Sequence, residues 1–236
     1  MFASTRRFGA FKSAIVAAAL LAAGSAQATF LGAVSCSGAN ACSEAGPTSP
    51  YPIPNPVTQD PNNGVLLVWN ERQNVTLTSD LRVDRVADAS ASYVGSDAGG
   101  LFIKAGTIVS SHYLQWDPGF DDVTGLSSVN TVQARLQFDS DIFAFITADQ
   151  KLFDSDAALG LAGLNYNDFG LRGLEGGDTT EYPFEPSDYS FVDVRWSATT
   201  PGDWTRLITA FSPAAAVPLP SALLLLLAGL PLLRRR

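Results

Sequence analysis

The sequence predicts an all-β protein whose folded domain is a single two-sheet β-sandwich of the jelly-roll type. Short stretches rich in Val, Ile, Phe and Trp are separated by Gly, Asp, Asn and Pro, which is typical of strands joined by turns. Two of these stretches alternate apolar and polar residues, as strands with one solvated face do. No comparable stretch places apolar residues at helical spacing. About eight strands in one domain favour a sandwich over a closed barrel.

The predicted strands follow one another from residue 65 to residue 211. They cover residues 65–69, 75–86, 101–103, 107–116, 129–138, 142–147, 189–196 and 204–211. The alternation is clearest in two of them, where the apolar positions are Val132, Ala134, Leu136 and Phe138, and Val192, Val194 and Trp196. Residues 152–164 are rich in Leu and Ala, but Gly160 and Gly163 predict a loop with one helical turn.

The composition excludes several classes of protein. The chain has 236 residues, 46% hydrophobic and 16% charged, which excludes a disordered polyelectrolyte, a collagen-like repeat and a polytopic membrane protein. With 15 basic against 23 acidic side chains, it lacks the basic surface that binds nucleic acid. Three basic residues lie in each chain end, so the body keeps nine against 23 acids, a net charge of about −14. Such a body repels anionic surfaces and either attracts divalent cations or simply stays soluble.

The N-terminus has the three parts of a secretory signal peptide. Basic residues at positions 6, 7 and 12 precede an apolar run over 14–23, which is shorter than the ~20 residues that cross a bilayer. Ala26 and Ala28 form the small-residue pattern of a cleavage site. We therefore expect residues 1–28 to be removed by cleavage after Ala28.

The C-terminus, residues 213–236, also has three parts in a fixed order. A short motif with two prolines holds the backbone extended. An apolar run over 222–233 can enter a bilayer, and a terminal arginine cluster is kept on the cytoplasmic side by the positive-inside rule. The motif consists of Val217, Pro218, Leu219, Pro220 and Ser221, and the cluster consists of Arg234, Arg235 and Arg236.

This arrangement resembles the PEP-CTERM class of bacterial sorting signals, in its Val-Pro-Leu-Pro variant. The resemblance covers residues 217–236 and implies recognition by an exosortase, a transpeptidase-like membrane protease. Leu219 stands where the commonest pattern has Glu, and Ser221 stands where the variant has Ala, so the subtype of exosortase stays open. The alternative is a plain tail anchor that remains in the membrane.

The resemblance also implies where the protein goes and which partners it meets. It would be exported through the general secretion machinery of a bacterium and inserted in the membrane through residues 222–233 before processing. Its destination would be the cell envelope, the cell surface or the exopolysaccharide matrix, with exopolysaccharide as a further partner. The body resembles a globular region of some PEP-CTERM proteins over 106–118, 138–149, 155–161, 168–175 and 197–209, a resemblance that assigns no functional residue.

Residues 29–64 are predicted to precede the β-domain, which spans 65–212. Cys36 and Cys42 are the only cysteines and lie close together in an exported chain, so we expect a small surface disulfide. Six prolines between residues 46 and 63 predict an extended linker or a strand-edge segment.

His112 is the only histidine, so any catalytic relay through a histidine must use it. It lies in mid-strand on the side of Ser110, Leu114 and Trp116, and the sequence contains no nucleophile-elbow motif. We therefore expect a structural or surface histidine, no catalytic residue and no enzymatic activity. One histidine and two bridged cysteines also argue against a transition-metal site.

Acidic residues cluster in three places, which we expect to be mainly solvated turns. Asp154 and Asp156 are a weak candidate for a structural calcium site, because Ca²⁺ takes about six to eight oxygen ligands; otherwise we expect no cofactor. A hydrolase would need two carboxylates flanking a cleft, which is an alternative function. The clusters are Asp117, Asp121 and Asp122; Asp139 and Asp141; and Asp149, Asp154 and Asp156.

A carbohydrate-binding module of the extracellular matrix is the other alternative function. Trp69, Trp116 and Trp196 lie in predicted strands and are expected in the core. Trp204 follows a Pro-Gly-Asp turn and is expected near a rim, where it could stack on a sugar ring. Asn74 begins an Asn-Val-Thr sequon, a glycosylation site by pattern only. The main expectation is a sorted surface or matrix protein with a structural or binding role, itself a substrate rather than a catalyst.

Overall fold

The structure, a computed structural model, describes residues 30–58, 64–119, 130–166, 170, 172–181, 189–199 and 202–212. All of them belong to one compact unit, Gln27–Ala215. Strands account for 47% of these residues and one short helix is present, so the domain is mostly β, as predicted. No helix within the described ranges is long and apolar enough to cross a membrane. The predicted signal peptide, residues 1–28, and sorting segment, residues 213–236, lie outside the described residues.

Fourteen strands and one helix follow in chain order within the described residues. They are β1 (Phe30–Ser37), β2 (Ala41–Glu44), β3 (Val65–Asn70), β4 (Val75–Thr76), β5 (Leu81–Arg82), β6 (Arg85–Val86), β7 (Val94–Asp97), β8 (Gly100–Ile103), β9 (Ile108–Trp116), β10 (Asn130–Phe138), β11 (Ile142–Ile146), α1 (Asp149–Leu159), β12 (Thr179–Glu181), β13 (Phe191–Ala198) and β14 (Asp203–Thr209).

The strands form three sheets. The four-stranded sheet has the order β1-β10-β13-β12, and the large sheet has the order β2-β3-β9-β14-β11-β6 with β4 beside β9. The small sheet has the order β5-β8-β7. β2 and β3 run parallel, whereas the long central strands of both larger sheets run antiparallel. The described sheets are open and do not close into a barrel.

The first hydrophobic core lies between the four-stranded sheet and the large sheet. Leu136 of β10 and Trp196 of β13 pack in one cluster with Leu114 of β9 and Leu207 of β14. Every second residue of β10 and of β13 is buried in this core. The predicted alternation in these two strands is therefore confirmed, with the polar positions on the outer face.

The second hydrophobic core covers the opposite face of the large sheet. Trp69 of β3 and Ile208 of β14 share a cluster with Leu152 of α1 and Ile103 of β8. The large sheet is thus covered on both faces, and every residue of β3 and β14 is buried. Strands that are covered on both sides have no solvated face. The sequences of β3 and β14 therefore do not alternate between buried apolar and exposed polar residues.

Two predictions about local structure between residues 75 and 164 are wrong. Helix α1 has 11 residues, not one turn, and begins before the predicted window. Gly160 lies just past its end, so the cost of glycine in a helix interior does not apply. The predicted strand over 75–86 is instead three two-residue strands, because the turn-forming residues 78–80 redirect the chain.

The described part of the segment predicted to precede the β-domain, residues 30–58, contributes two edge strands to its sheets. β1 pairs with β10 in the four-stranded sheet, and β2 pairs with β3 in the large sheet. The proline-rich stretch packs on the second core, where Val57 is fully buried. The expected disulfide between Cys36 and Cys42 is present, and because it joins β1 to β2 it links the two larger sheets along one edge.

The turn before β14 brings the backbone of Gly202 against the end of β9. Gly202 has a φ of +103°, and a Cβ atom there would overlap the carbonyl oxygen of Trp116. Gly100 has the same φ, but a Cβ atom there would meet no atom within 4 Å. An alanine at either position would therefore be strained by the positive φ, but only at position 202 would its Cβ atom also overlap the backbone of β9.

We expect Gly202→Ala to destabilise the protein by about 2 kcal/mol more than Gly100→Ala, because only the former forces β9 and β14 apart. Denaturant-induced unfolding of both variants measures this difference. Equal losses of stability would show that the approach to Trp116 is not limiting.

Candidate functional site

His112 is buried in the first core and bonded on both ring nitrogens. Its Nδ1 lies 2.8 Å from Oδ1 of Asn70 and its Nε2 lies 3.1 Å from Oγ1 of Thr209. Burial lowers the pKa of His112 to about 3, so the ring is neutral at physiological pH. The order of hydroxyl, imidazole and amide matches that of a catalytic relay, but all three residues are buried. The structure thus places His112 inside the domain, with its ring out of contact with solvent.

The two aspartates proposed for calcium have other partners. Both side-chain oxygens of Asp156 accept hydrogen bonds from Arg172, and one also accepts from Arg206. Asp154 accepts a hydrogen bond from Gln150 on the exposed side of α1. Across the described ranges, no group of three or more His, Cys, Asp or Glu residues is placed to hold a metal ion. The structure therefore does not bring Asp154 and Asp156 together as cation ligands.

The expectation that Trp204 lies near a rim is wrong. Trp204 is fully buried, as are Trp69 and Trp196, and Trp116 is 1% exposed. Trp204 faces the second core because β14 is covered on both faces, which a single strand pattern cannot show. Its ring is therefore not available to stack on a sugar.

Asn74, the asparagine of the sequon, is hydrogen-bonded to Ser212, the last residue that the structure describes. These bonds are called here the clamp at Ser212. The side chain of Asn74 accepts a hydrogen bond from the backbone N–H of Ser212 at 2.8 Å and donates one to the carbonyl of Ser212 at 3.1 Å. The hydroxyl of Ser212 donates to Asp139. Asn74 adopts a φ of +51°, a left-handed conformation that asparagine tolerates better than most residues. Its amide nitrogen is committed to this clamp, which argues against glycosylation at this position.

A buried network of two arginines and two carboxylates joins α1 to the large sheet. Arg206 of β14 donates to Glu71 from Nε at 2.7 Å and from Nη2 at 2.8 Å, and all four side chains are less than one-fifth exposed. Nη2 of Arg206 also donates to Asp156 at 2.9 Å. Arg172 donates to the other oxygen of Asp156 at 2.6 Å. Two positive and two negative charges therefore neutralise one another inside the domain.

Hydroxyl groups complete this network. Tyr166 and Ser111 donate to the two carboxylate oxygens of Glu71, and Tyr113 accepts from Arg172 at 2.9 Å. Burial alone would lower the pKa of Arg206, but the charge and hydrogen bonds of Glu71 raise it above the ordinary value. Burial raises the pKa of Tyr113 to about 12. Both arginines therefore stay charged and both tyrosines stay protonated near neutral pH.

The sequence analysis did not identify this network. One signal was available: Arg206 shares a face of its predicted strand with Trp204 and Ile208, and a charge among apolar residues requires a carboxylate partner. The identity of that partner was not available, because Glu71 lies 135 residues away in the chain.

We expect Arg206→Met to lower the free energy of unfolding by about 3–5 kcal/mol, because it leaves the Glu71 carboxylate buried without its cation. Arg135→Met is the matched control: Arg135 pairs with Asp193 at 2.7 Å on the surface, with side chains 44% and 39% exposed. Its loss should cost at most about 1 kcal/mol. Urea unfolding of both variants measures the difference, and similar losses would contradict this account of the network.

A second buried acid lies at the start of β14. Asp203 is 2% exposed, and its Oδ2 has no hydrogen-bond partner among the described residues. Burial raises the pKa of Asp203 to about 8, and the charges of Asp178 and Glu175 add to that rise. The folded protein therefore favours the protonated acid at pH values where the unfolded chain ionises it.

This difference makes stability depend on pH. Between about pH 4 and pH 8 the folded state holds a proton that the unfolded state has lost, so the contribution of Asp203 to stability falls as pH rises. Asp203→Asn replaces the titrating carboxyl group with an amide, which does not ionise. We expect the stability of the variant relative to the native chain to increase from pH 5 to pH 8, as measured by urea unfolding at each pH. A difference that does not change with pH would contradict the assignment.

The outer face of the four-stranded sheet is polar, and it is called here the polar sheet face. Its side chains form two rows across the four strands, because residues paired in register point to the same side. It lines a shallow cavity of about 530 Å³. The first row is Ser37, Gln133, Arg195 and Thr179, and the second row is Ser35, Arg135, Asp193 and Glu181.

Charges on the polar sheet face are unevenly distributed between the rows. In the second row, Arg135 donates to both oxygens of Asp193 at 2.7 Å, and Glu181 lies 3.9 Å from Arg85. In the first row, Arg195 is the only charged residue, and it is exposed. The first row thus combines neutral hydrogen-bonding groups with one cation, an arrangement suited to binding a polar, hydroxylated molecule.

No protein-family model, curated protein or solved structure matches this chain.

Proposed function

We propose that this protein is exported by a bacterium, processed by an exosortase and delivered to the cell surface or exopolysaccharide matrix, where it has a structural or binding role. The observation that carries the proposal is the order of motif, apolar run and arginine cluster at 217–236, behind a signal peptide at 1–28. In this role the chain is a substrate of the sorting protease and not itself a catalyst.

The clamp at Ser212 supports this division between domain and tail. Ser212 is buried and bonded to Asn74 and Asp139, and four residues separate it from Val217. Every strand of the described domain precedes Ser212. Cleavage within the motif would therefore leave the described contacts of the domain intact.

For the fold, we propose that the four-stranded sheet and the large sheet form a jelly-roll sandwich. The shared hydrophobic core between them supports a sandwich. The chain alternates between the two sheets from β9 to β11 and again from β13 to β14, as jelly rolls do. The small sheet and α1 would then be additions that cover one outer face.

A binding role in the matrix is favoured by the polar sheet face. Its neutral amide and hydroxyl groups can donate to and accept from sugar hydroxyls, and its cavity is open along the strands. This binding role corresponds to the alternative function of a carbohydrate-binding module. The proposed binding site lies on the polar sheet face and not at Trp204.

The sorting proposal is tested by the intact mass of the protein recovered from the surface and medium of the bacterium that makes it. We expect a C-terminus within 217–220, and the full tail in a strain that lacks the exosortase. Replacing Pro218 and Pro220 together by Ala should retain the tail, because the extended motif is lost. Replacing Pro213 by Ala, outside the motif, is the control and should be processed normally. A mass that includes Arg236 in both strains would instead identify a tail anchor.

A further inference from the structure

Arg195 differs from the other basic residues of the exported body. The side chains of the other eight each have an ion-pair or hydrogen-bond partner. Six pair with carboxylates: Arg172 and Arg206 in the buried network, Arg82 with Asp97, Arg85 with Glu181, Arg135 with Asp193, and Lys151 with Asp84. Lys104 and Arg72 donate to the backbone carbonyls of Ser92 and Ala158. Within the described residues, the guanidinium of Arg195 alone has no such partner. In a body with 23 acids against nine bases, an unpaired cation is unexpected.

The neighbours of Arg195 explain why its guanidinium has no carboxylate partner. Asp193 lies two residues earlier on the same face of β13, but both of its oxygens accept hydrogen bonds from Arg135. The register partners of Arg195 are Gln133 on one side and Thr179 on the other, which are neutral. The guanidinium is therefore exposed to solvent between two hydrogen-bonding groups.

A guanidinium in this setting matches a carboxylate, because its paired N–H groups fit the two oxygens of that group. Gln133, Thr179 and Ser37 in the same row can bond hydroxyl groups that flank the carboxylate. Thr131 and Ser197, bonded to each other at 2.7 Å, continue the hydroxyl-bearing surface toward one end of the strands. The complementary ligand is thus long, rich in hydroxyls and intermittently acidic.

We propose that the polar sheet face binds a carboxylated polysaccharide, with Arg195 holding a uronate carboxylate and the rest of its row holding neighbouring hydroxyls. Nucleic acid has a charge at every residue and is repelled by the acidic body. A glycan with carboxylates on some of its sugars needs only one cation at each contact. The proposal rests on the binding role proposed above and not on the sorting of the tail.

The test measures binding of the full-length protein, purified in a non-ionic detergent, to three polysaccharides in which only some of the sugars carry a carboxylate: hyaluronan, gellan and xanthan. The matched control ligand is each polymer after chemical reduction of its carboxylates. We expect binding to at least one native polymer, weaker binding to its reduced form, and weakening as salt is raised, because exposed charges are screened.

Substitutions then locate the site. Arg195→Gln should raise the dissociation constant at least about tenfold, the effect of losing one charge-assisted contact. Arg195→Lys should bind with intermediate strength, since it keeps the charge and loses the paired geometry. Arg82→Gln, on an exposed arginine in the small sheet, is the control and should bind like the native protein. Unchanged thermal unfolding of each variant shows that the fold is kept.

Three results would overturn the proposal: no binding to any of the three polymers, equal binding to native and reduced polymer, or equal binding by Arg195→Gln and the native protein. None of them bears on whether residues 217–220 are cleaved. The intact-mass experiment fails or succeeds independently, so a failure of glycan binding is distinguishable from a failure of the sorting proposal.

Discussion

The ion pair between Glu71 and Arg206 is the interaction on which the second core depends. Removing two charges from water is costly, and the cost is offset only when every donor and acceptor has a partner. Here Ser111, Tyr166 and Asp156 supply those partners. The network reaches from the end of β3 to β9, β14 and α1. Because the charges cancel only when all these elements are in place, α1 has one position on the sheet in which no charge is left unpaired.

The two faces of the large sheet are therefore stabilised by different kinds of interaction. The face toward the four-stranded sheet is an apolar layer, which tolerates exchanges that conserve volume. The face toward α1 combines apolar packing with the charge network, which requires specific donors and acceptors. At one edge the Cys36–Cys42 disulfide adds a covalent link between the two sheets. Together these constraints fix how the layers stack.

The strands β3, β9, β10, β11, β13 and β14 were predictable from local pattern, whereas β1, β2, β7 and β12 and the buried polar groups were not. Apolar and polar residues alternate in β10 and β13 because one face of their sheet is exposed to solvent. That signal is contained in eight or nine consecutive residues. Trp204 was misplaced because burial of the second face of β14 depends on α1, whose position no local pattern shows. Glu71 and Arg206 meet across 135 residues of chain, a pairing that only the folded topology defines. Local pattern did not show the polar sheet face either, because each of its rows combines residues from four strands that lie far apart between residues 35 and 195.

The distribution of positive charge connects the stability of this domain to its proposed role. Its acidic surface discourages contact with other acidic molecules, and most of its few cations are held by internal partners. The anion site proposed above lies where the pairing of Arg135 with Asp193 leaves Arg195 without a partner among the described residues. The tail carries the sorting motif and the sheet carries this arginine. The clamp at Ser212 lies four residues before the motif and Arg195 lies in β13, so the two proposed features belong to separate parts of the chain.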